Sequence, residues 1–123
     1  MGIIDRASGL RAATAVRLRG VSVSYRRKDG TTESVVAAPG RTDHADVDGN
    51  GGTVTVRSDD WLIRPEDFTA QFGAAAVPVE GDRITFRGRV YRLQPFGGEP
   101  VYRPSDQDRR LWRMHSKDIG AEE

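Results

Sequence analysis

Residues 77–95 read VPVEGDRITFRGRVYRLQP, and this stretch decides the fold. Glu80-Gly81-Asp82 has the composition of a turn. Ile84 and Phe86 then share one strand face, because side chains alternate on a pleated backbone. Arg87-Gly88 reverses the chain, a two-residue reversal being favoured by a glycine that accepts positive φ. Val90 to Gln94 returns with Tyr91 and Leu93 inward, and Pro95, lacking a ladder donor, ends the strand. These residues specify a tight antiparallel hairpin.

The same period governs the flanks. Val16 and Leu18 share one parity, and Val21, Val23 and Tyr25 the other; the switch falls at Gly20, where a bulge fits. Asp29-Gly30 signals a hairpin turn, with Ser34 to Ala38 as the returning strand and Pro39-Gly40 as its end. Residues 40–52 (GRTDHADVDGNGG) are polar, acidic and glycine-rich, which predicts an exposed mobile loop. Thr53 to Arg57 alternates as a strand, and Trp61-Leu62-Ile63 is a short buried run. Pro65 to Phe68 suits a turn of helix with proline at an early position, and Phe68 and Phe72 share a helical face. Residues 96–108 form a turn-rich connection. Arg109 to Ser116 alternates again, with Trp112 and Met114 on one face and Leu111, Arg113 and His115 on the other. At the N-terminus Ile3, Ala7, Leu10 and Thr14 recur at helical spacing.

The expectation is therefore an all-β sandwich or small barrel of about six to seven short antiparallel strands. Residues 15–116 form the domain, 1–14 a short helix or arm, 40–52 a long mobile loop and 117–123 a tail. The expected core is Val21, Val23, Val54, Val56, Leu62, Ile84, Phe86, Tyr91, Leu93 and Trp112.

Composition narrows the chemistry. The 123 residues include 37% hydrophobic and 30% charged residues, enough for one domain with a modest core. The longest run without a polar residue, Ala74 to Val79, is too short to span a membrane. The chain contains no cysteine, which excludes disulfides, thiolate metal sites and a cysteine nucleophile. The 19 basic residues nearly balance 18 acidic ones, and all but Lys28 and Lys117 are arginines. Arginine suits fixed, bidentate contacts with carboxylates, so a network of ion pairs between copies of the chain stands beside plain surface solvation as its explanation.

Asp46, Asp48, Asn50 and Gly51 match the first half of a calcium loop, but Arg57 stands where the bidentate glutamate belongs. His44 and His115 lie in different contexts with no third ligand at regular spacing, a poor metal signature. His115 reads as a surface residue at a strand end. His115, Ser116 and Asp118 are neighbours in sequence, which is not the spatial arrangement of a nucleophile and its base. Phosphate-loop spacing is absent, Gly49 to Gly52 preceding a strand rather than a helix. The reading is of no enzyme, no cofactor and no metal.

Strand, short helix-forming connection, Gly-Asp turn, hairpin, polar loop and last strand together resemble the head-completion, or head–tail joining, proteins of long-tailed bacteriophages. Residues 79–120 (VEGDRITFRGRVYRLQPFGGEPVYRPSDQDRRLWRMHSKDIG) carry most of the likeness, with looser correspondence over 53–78. The resemblance implies a structural virion protein of the neck, made in the host cytoplasm. It implies a stopper-like homo-oligomeric ring of roughly six or twelve copies, closed by one repeated contact. Its partners would be portal and adaptor proteins on the head side and tail terminator or tail tube proteins on the other, with packaged DNA passing through and no membrane involved. Ends and a long loop that order on assembly would delay docking until the platform exists. The interface residues expected on this basis are Ile3, Leu10, Arg41, Asp43, Asp46, Asp48, Arg57, Arg109 and Arg110. The rival reading is a nucleic-acid-binding barrel using Arg87, Arg89, Arg92 and the strand aromatics.

Overall fold

The structure, a computed structural model, describes residues 20–47, 49–105 and 110–122, without the side chains of Asp46 and Val47. The N-terminal arm expected over 1–14, with Ile3 and Leu10, lies outside the described residues, as do Val16, Leu18, Asp48 and Arg109.

Seven strands and one helix follow in the order β1 (Val21–Arg26), β2 (Thr32–Val47), β3 (Thr53–Ile63), α1 (Pro65–Phe72), β4 (Arg83–Phe86), β5 (Arg89–Leu93), β6 (Tyr102–Pro104) and β7 (Trp112–Ala121). Neighbours run β3-β2-β1-β4-β5-β7-β6, and an additional β3–β7 pairing closes six strands into a ring of hydrogen bonds. Every pairing is antiparallel. The all-β expectation holds.

Local chemistry sets the turns. Asp29 Oδ1 accepts the Thr31 N–H at 2.8 Å and Gly30 takes a φ of 96°, so β1 folds back onto β2. Arg87 and Gly88 have φ of 50° and 75°, the paired positive values of a hairpin whose turn matches strand twist. The Gly81-Asp82 turn is tied to the hairpin by Gly81 N–H donating to Leu93 O and Leu93 N–H to Asp82 O. α1 starts at Pro65, Arg64 grips Asp67 through two hydrogen bonds, and Gly73 N–H closes it on Thr69 O.

The core gathers Val23, Tyr25, Val35, Ala37, Trp61, Ile63, Phe68, Ile84, Leu93 and Met114. Phe68 and Phe72 share a face, as the spacing predicts, and pack on Tyr25 with ring centroids 5.1 and 5.4 Å away. A buried carboxylate sits beside this cluster. Asp82 accepts the Tyr25 hydroxyl at 2.5 Å and the N–H groups of Lys28 and Val79.

Three expectations need correction. β2 does not stop at Pro39-Gly40: residues 40–47 continue it, paired with β3 from Ala38↔Leu62 to Val47↔Thr53, so only a short turn remains of the 40–52 loop. Pro39 is tolerated because β1 ends opposite Ala37, leaving one β2 edge unpaired beyond it. Val54 is 39% exposed and Val56 half-buried, because they lie on this extension rather than over the core. Residues 117–121 are no tail but the part of β7 that pairs with β5. Leu62, Val21, Phe86, Tyr91 and Trp112 are also only partly buried.

Candidate functional site: a ribbon and the polar cluster at its base

Beyond Thr42 and Ser58, β2 and β3 pair only with each other among the described residues, forming a two-stranded ribbon that leaves the closed ring. Asp43, Ala45, Thr53, Val54, Thr55 and Arg57 along it are exposed, as is Arg41 at its base. Of the expected interface residues, the ribbon collects Asp43 and Arg57, with Arg41 at its base, and sets Asp46 opposite Val54 in register. Arg110 is exposed and lies outside the ribbon.

Asp43 and Arg57 meet in cis, Arg57 Nε donating to Asp43 Oδ1 at 2.9 Å. Several other arginines likewise pair inside the chain. Arg89 with Asp118 and Arg64 with Asp67 make two-pronged contacts, while Arg103 holds Glu99 and Arg113 holds Asp60 through one nitrogen each. Part of the arginine richness therefore serves the protomer's own fold. Of the residues of the rival reading, Arg89 is engaged by Asp118, Arg87 is exposed and lies over the Phe86 ring at 4.9 Å, Arg92 is exposed, and Trp61, Phe86, Tyr91 and Trp112 are buried or half-buried.

Where the ribbon joins the ring, the outer parity of β2, β3 and β7 carries a polar cluster. The connection between β5 and β6 covers it. Gln94 N–H donates to His115 O, His115 N–H to Val101 O, and Phe96 and Glu99 bridge each other around Gly97-Gly98. Phe96 stacks on the His44 ring with centroids 5.3 Å apart. Beneath it, Asp60 is buried and fully engaged: it accepts Ser58 Oγ at 2.6 Å, His115 Nδ1 at 2.8 Å, Arg113 Nη1 at 2.7 Å and Thr42 Oγ1. Burial alone raises such a carboxyl; the hydrogen bonds from His115, Ser58, Thr42 and Arg113 outweigh it and hold Asp60 well below the usual range.

His115 is fully buried, correcting its reading as a surface residue. The two histidines are not separate: their ring centroids lie 5.0 Å apart. Glu99 completes the group, and ligating atoms of His44, Glu99 and His115 all fall within 4.8 Å of one another. Burial works to raise Glu99, but Arg103 and then the histidines bring it below the ordinary value. Ser58 and His115 do not form a nucleophile–base pair backed by Asp60, because the Ser58 hydroxyl faces His115 on the same Nδ1 that meets Asp60. A sequence signal for the cluster existed in the pair Asp59-Asp60 inside a strand, where solvated carboxylates are unfavourable, and in the Phe-Gly-Gly-Glu turn.

A family model described as phage head-tail joining protein matches residues 1–123. No curated protein matches the chain.

Proposed function

The chain belongs to the phage head-tail joining protein family, and from that premise we propose that it is a ring-forming connector subunit whose β2–β3 ribbon makes the contact between copies. The family is structural rather than enzymatic and acts at the phage neck, between head and tail components. The finer reading is a stopper: copies dock under the portal and adaptor, help retain packaged DNA and offer the tail its attachment surface.

The ribbon carries this reading. A two-stranded ribbon has little to hold it in an isolated domain; Phe96 covers His44 on one face, and Val54 stands uncovered further along it. A neighbouring copy laid along the ribbon would bury Val54 and draw on Arg41, Asp43 and Arg57. The exposed Asp43–Arg57 pair stabilises the monomer by about 0–1 kcal/mol, so its partners are easily exchanged for those of the next copy. Such a heterologous contact, repeated around an axis, closes a ring.

The test is the triple substitution Asp43→Lys, Asp46→Lys and Asp48→Lys. The expected result is a folded monomer, unchanged in circular dichroism, with strongly reduced yield of tail-joined particles. Wild-type yield from the triple variant overturns the ribbon interface.

A further inference from the structure

We propose that His44, Glu99 and His115 bind a divalent transition-metal cation of the zinc class, which pins the β5–β6 connection onto the ribbon's base. The hydrogen-bond pattern dictates where each proton sits. Asp60 accepts from Ser58 Oγ and Arg113 Nη1, so its 2.8 Å contact with His115 places the proton of a neutral imidazole on Nδ1 and leaves a lone pair on Nε2. Ser58 gives its single hydroxyl proton to Asp60 at 2.6 Å. Its oxygen therefore accepts from His44 Nε2–H at 3.0 Å, which leaves His44 Nδ1 with a lone pair too. Both lone pairs face Glu99, itself an acceptor: His44 Nδ1 lies 3.4 Å from Oε2 and His115 Nε2 lies 3.6 Å from Oε1.

Three acceptors thus converge; Arg103 Nε–H reaches Glu99 Oε1, but no hydrogen bond joins Glu99 to either imidazole nitrogen that faces it. His115 Nε2, fully buried, is the side-chain polar atom without a hydrogen-bond partner among the described buried ones. Such an arrangement repels itself unless positive charge lies between the groups. A tetrahedral ion with bonds of about 2.0–2.1 Å separates its ligand atoms by roughly 3.3–3.4 Å. Each imidazole nitrogen stands 3.4 or 3.6 Å from one Glu99 oxygen, and the three ligand atoms lie within 4.8 Å of one another, so a small closure of the group completes the set. Asp60 behind His115 and Ser58 behind His44 supply the outer hydrogen bonds that orient metal-bound imidazoles. Two imidazoles and a carboxylate favour zinc, cobalt or nickel over calcium or magnesium. Glu99 reaches the histidines because Gly97 lets the turn settle on His44; a Cβ at Gly97 would stand 2.8 Å from His44 Cβ.

The chain has two histidines and no cysteine, so imidazole ligation reports on this site alone. Tag-free full-length protein, treated with a chelator and then titrated with Co²⁺ and Zn²⁺, should bind one ion per chain. Bound Co²⁺ should give visible absorption, and both imidazoles should shift in ¹⁵N spectra. Glu99→Gln, on a partly exposed turn, should weaken binding at least 10-fold while circular dichroism stays unchanged. The site is overturned if Zn²⁺ and Co²⁺ fail to bind one-to-one. It is also overturned if Glu99→Gln binds like the wild type, or if a proton on His44 Nδ1 or His115 Nε2 persists in the presence of Zn²⁺, which would make the group a plain ion pair.

Discussion

At the scale of single residues, the most consequential side chains are polar ones that burial forces into fixed protonation states. Burial, and then the Asp82 carboxylate that accepts its hydroxyl, push the Tyr25 pKa far above its ordinary value. The folded chain therefore keeps this proton to higher pH than the unfolded chain, where it leaves near 10. The stability it confers is complete below about pH 10 and is lost as pH rises further. An absorbance titration of phenolate should show Tyr25 ionising only together with unfolding. Tyr25→Phe should cost about 1–3 kcal/mol near neutrality and flatten the alkaline loss of stability. Ionisation of Tyr25 before the fold melts would contradict the Tyr25–Asp82 assignment.

At the scale of elements, hairpins with local turn chemistry were legible and long-range covers were not. Gly81-Asp82 and Arg87-Gly88 announced β4 and β5 because their conformational demands are met by adjacent residues. β2 misled because Pro39-Gly40 normally ends a strand, and only the position where β1 stops makes that proline harmless. Val54 and Val56 showed the right period, but period reports strand geometry and says nothing of what lies opposite. The polar cluster stayed hidden because Asp60 and His115 are 55 residues apart and the connection that covers them reads as a loop. That cover has its own test in the glycine pair. Gly97 has a φ of 52° and Gly98 a φ of 84°, but only the Gly97 Cβ would strike His44, and nothing lies within 4 Å of the Gly98 position. Gly98→Ala should cost about 1–2 kcal/mol of backbone strain, and Gly97→Ala that amount plus about 1–3 kcal/mol for displacing His44. Equal denaturation midpoints for the two variants would remove the turn from its place against His44.

At the scale of the whole molecule, one outer row crosses four strands. Register sets Arg26 opposite Arg83, Arg83 opposite Arg92, and Arg92 opposite Lys117, all four exposed. None of Arg26, Arg83 and Lys117 forms an ion pair among the described residues. Like charges directly opposite destabilise a sheet, so the row fits a surface that meets a polyanion, as a DNA-passing ring would require. The chain should bind duplex DNA at low salt, with log affinity falling against log salt at a slope of about −3 to −4 if all four cations reach phosphates. Arg83→Ala should reduce that slope by about 1; an unchanged slope, or no binding at low salt, removes this face from the DNA path. Closure of the strands has a mechanical side as well. A sheet with ends can be unzipped from an outer strand one bond at a time, but six strands joined in a circle offer no such end. Tension applied along the ribbon loads the β2–β3 ladder in shear, so its bonds must fail together, while β6, paired with β7 alone, can peel away. A neck subunit of this build yields first at β6 and keeps its closed body under pull.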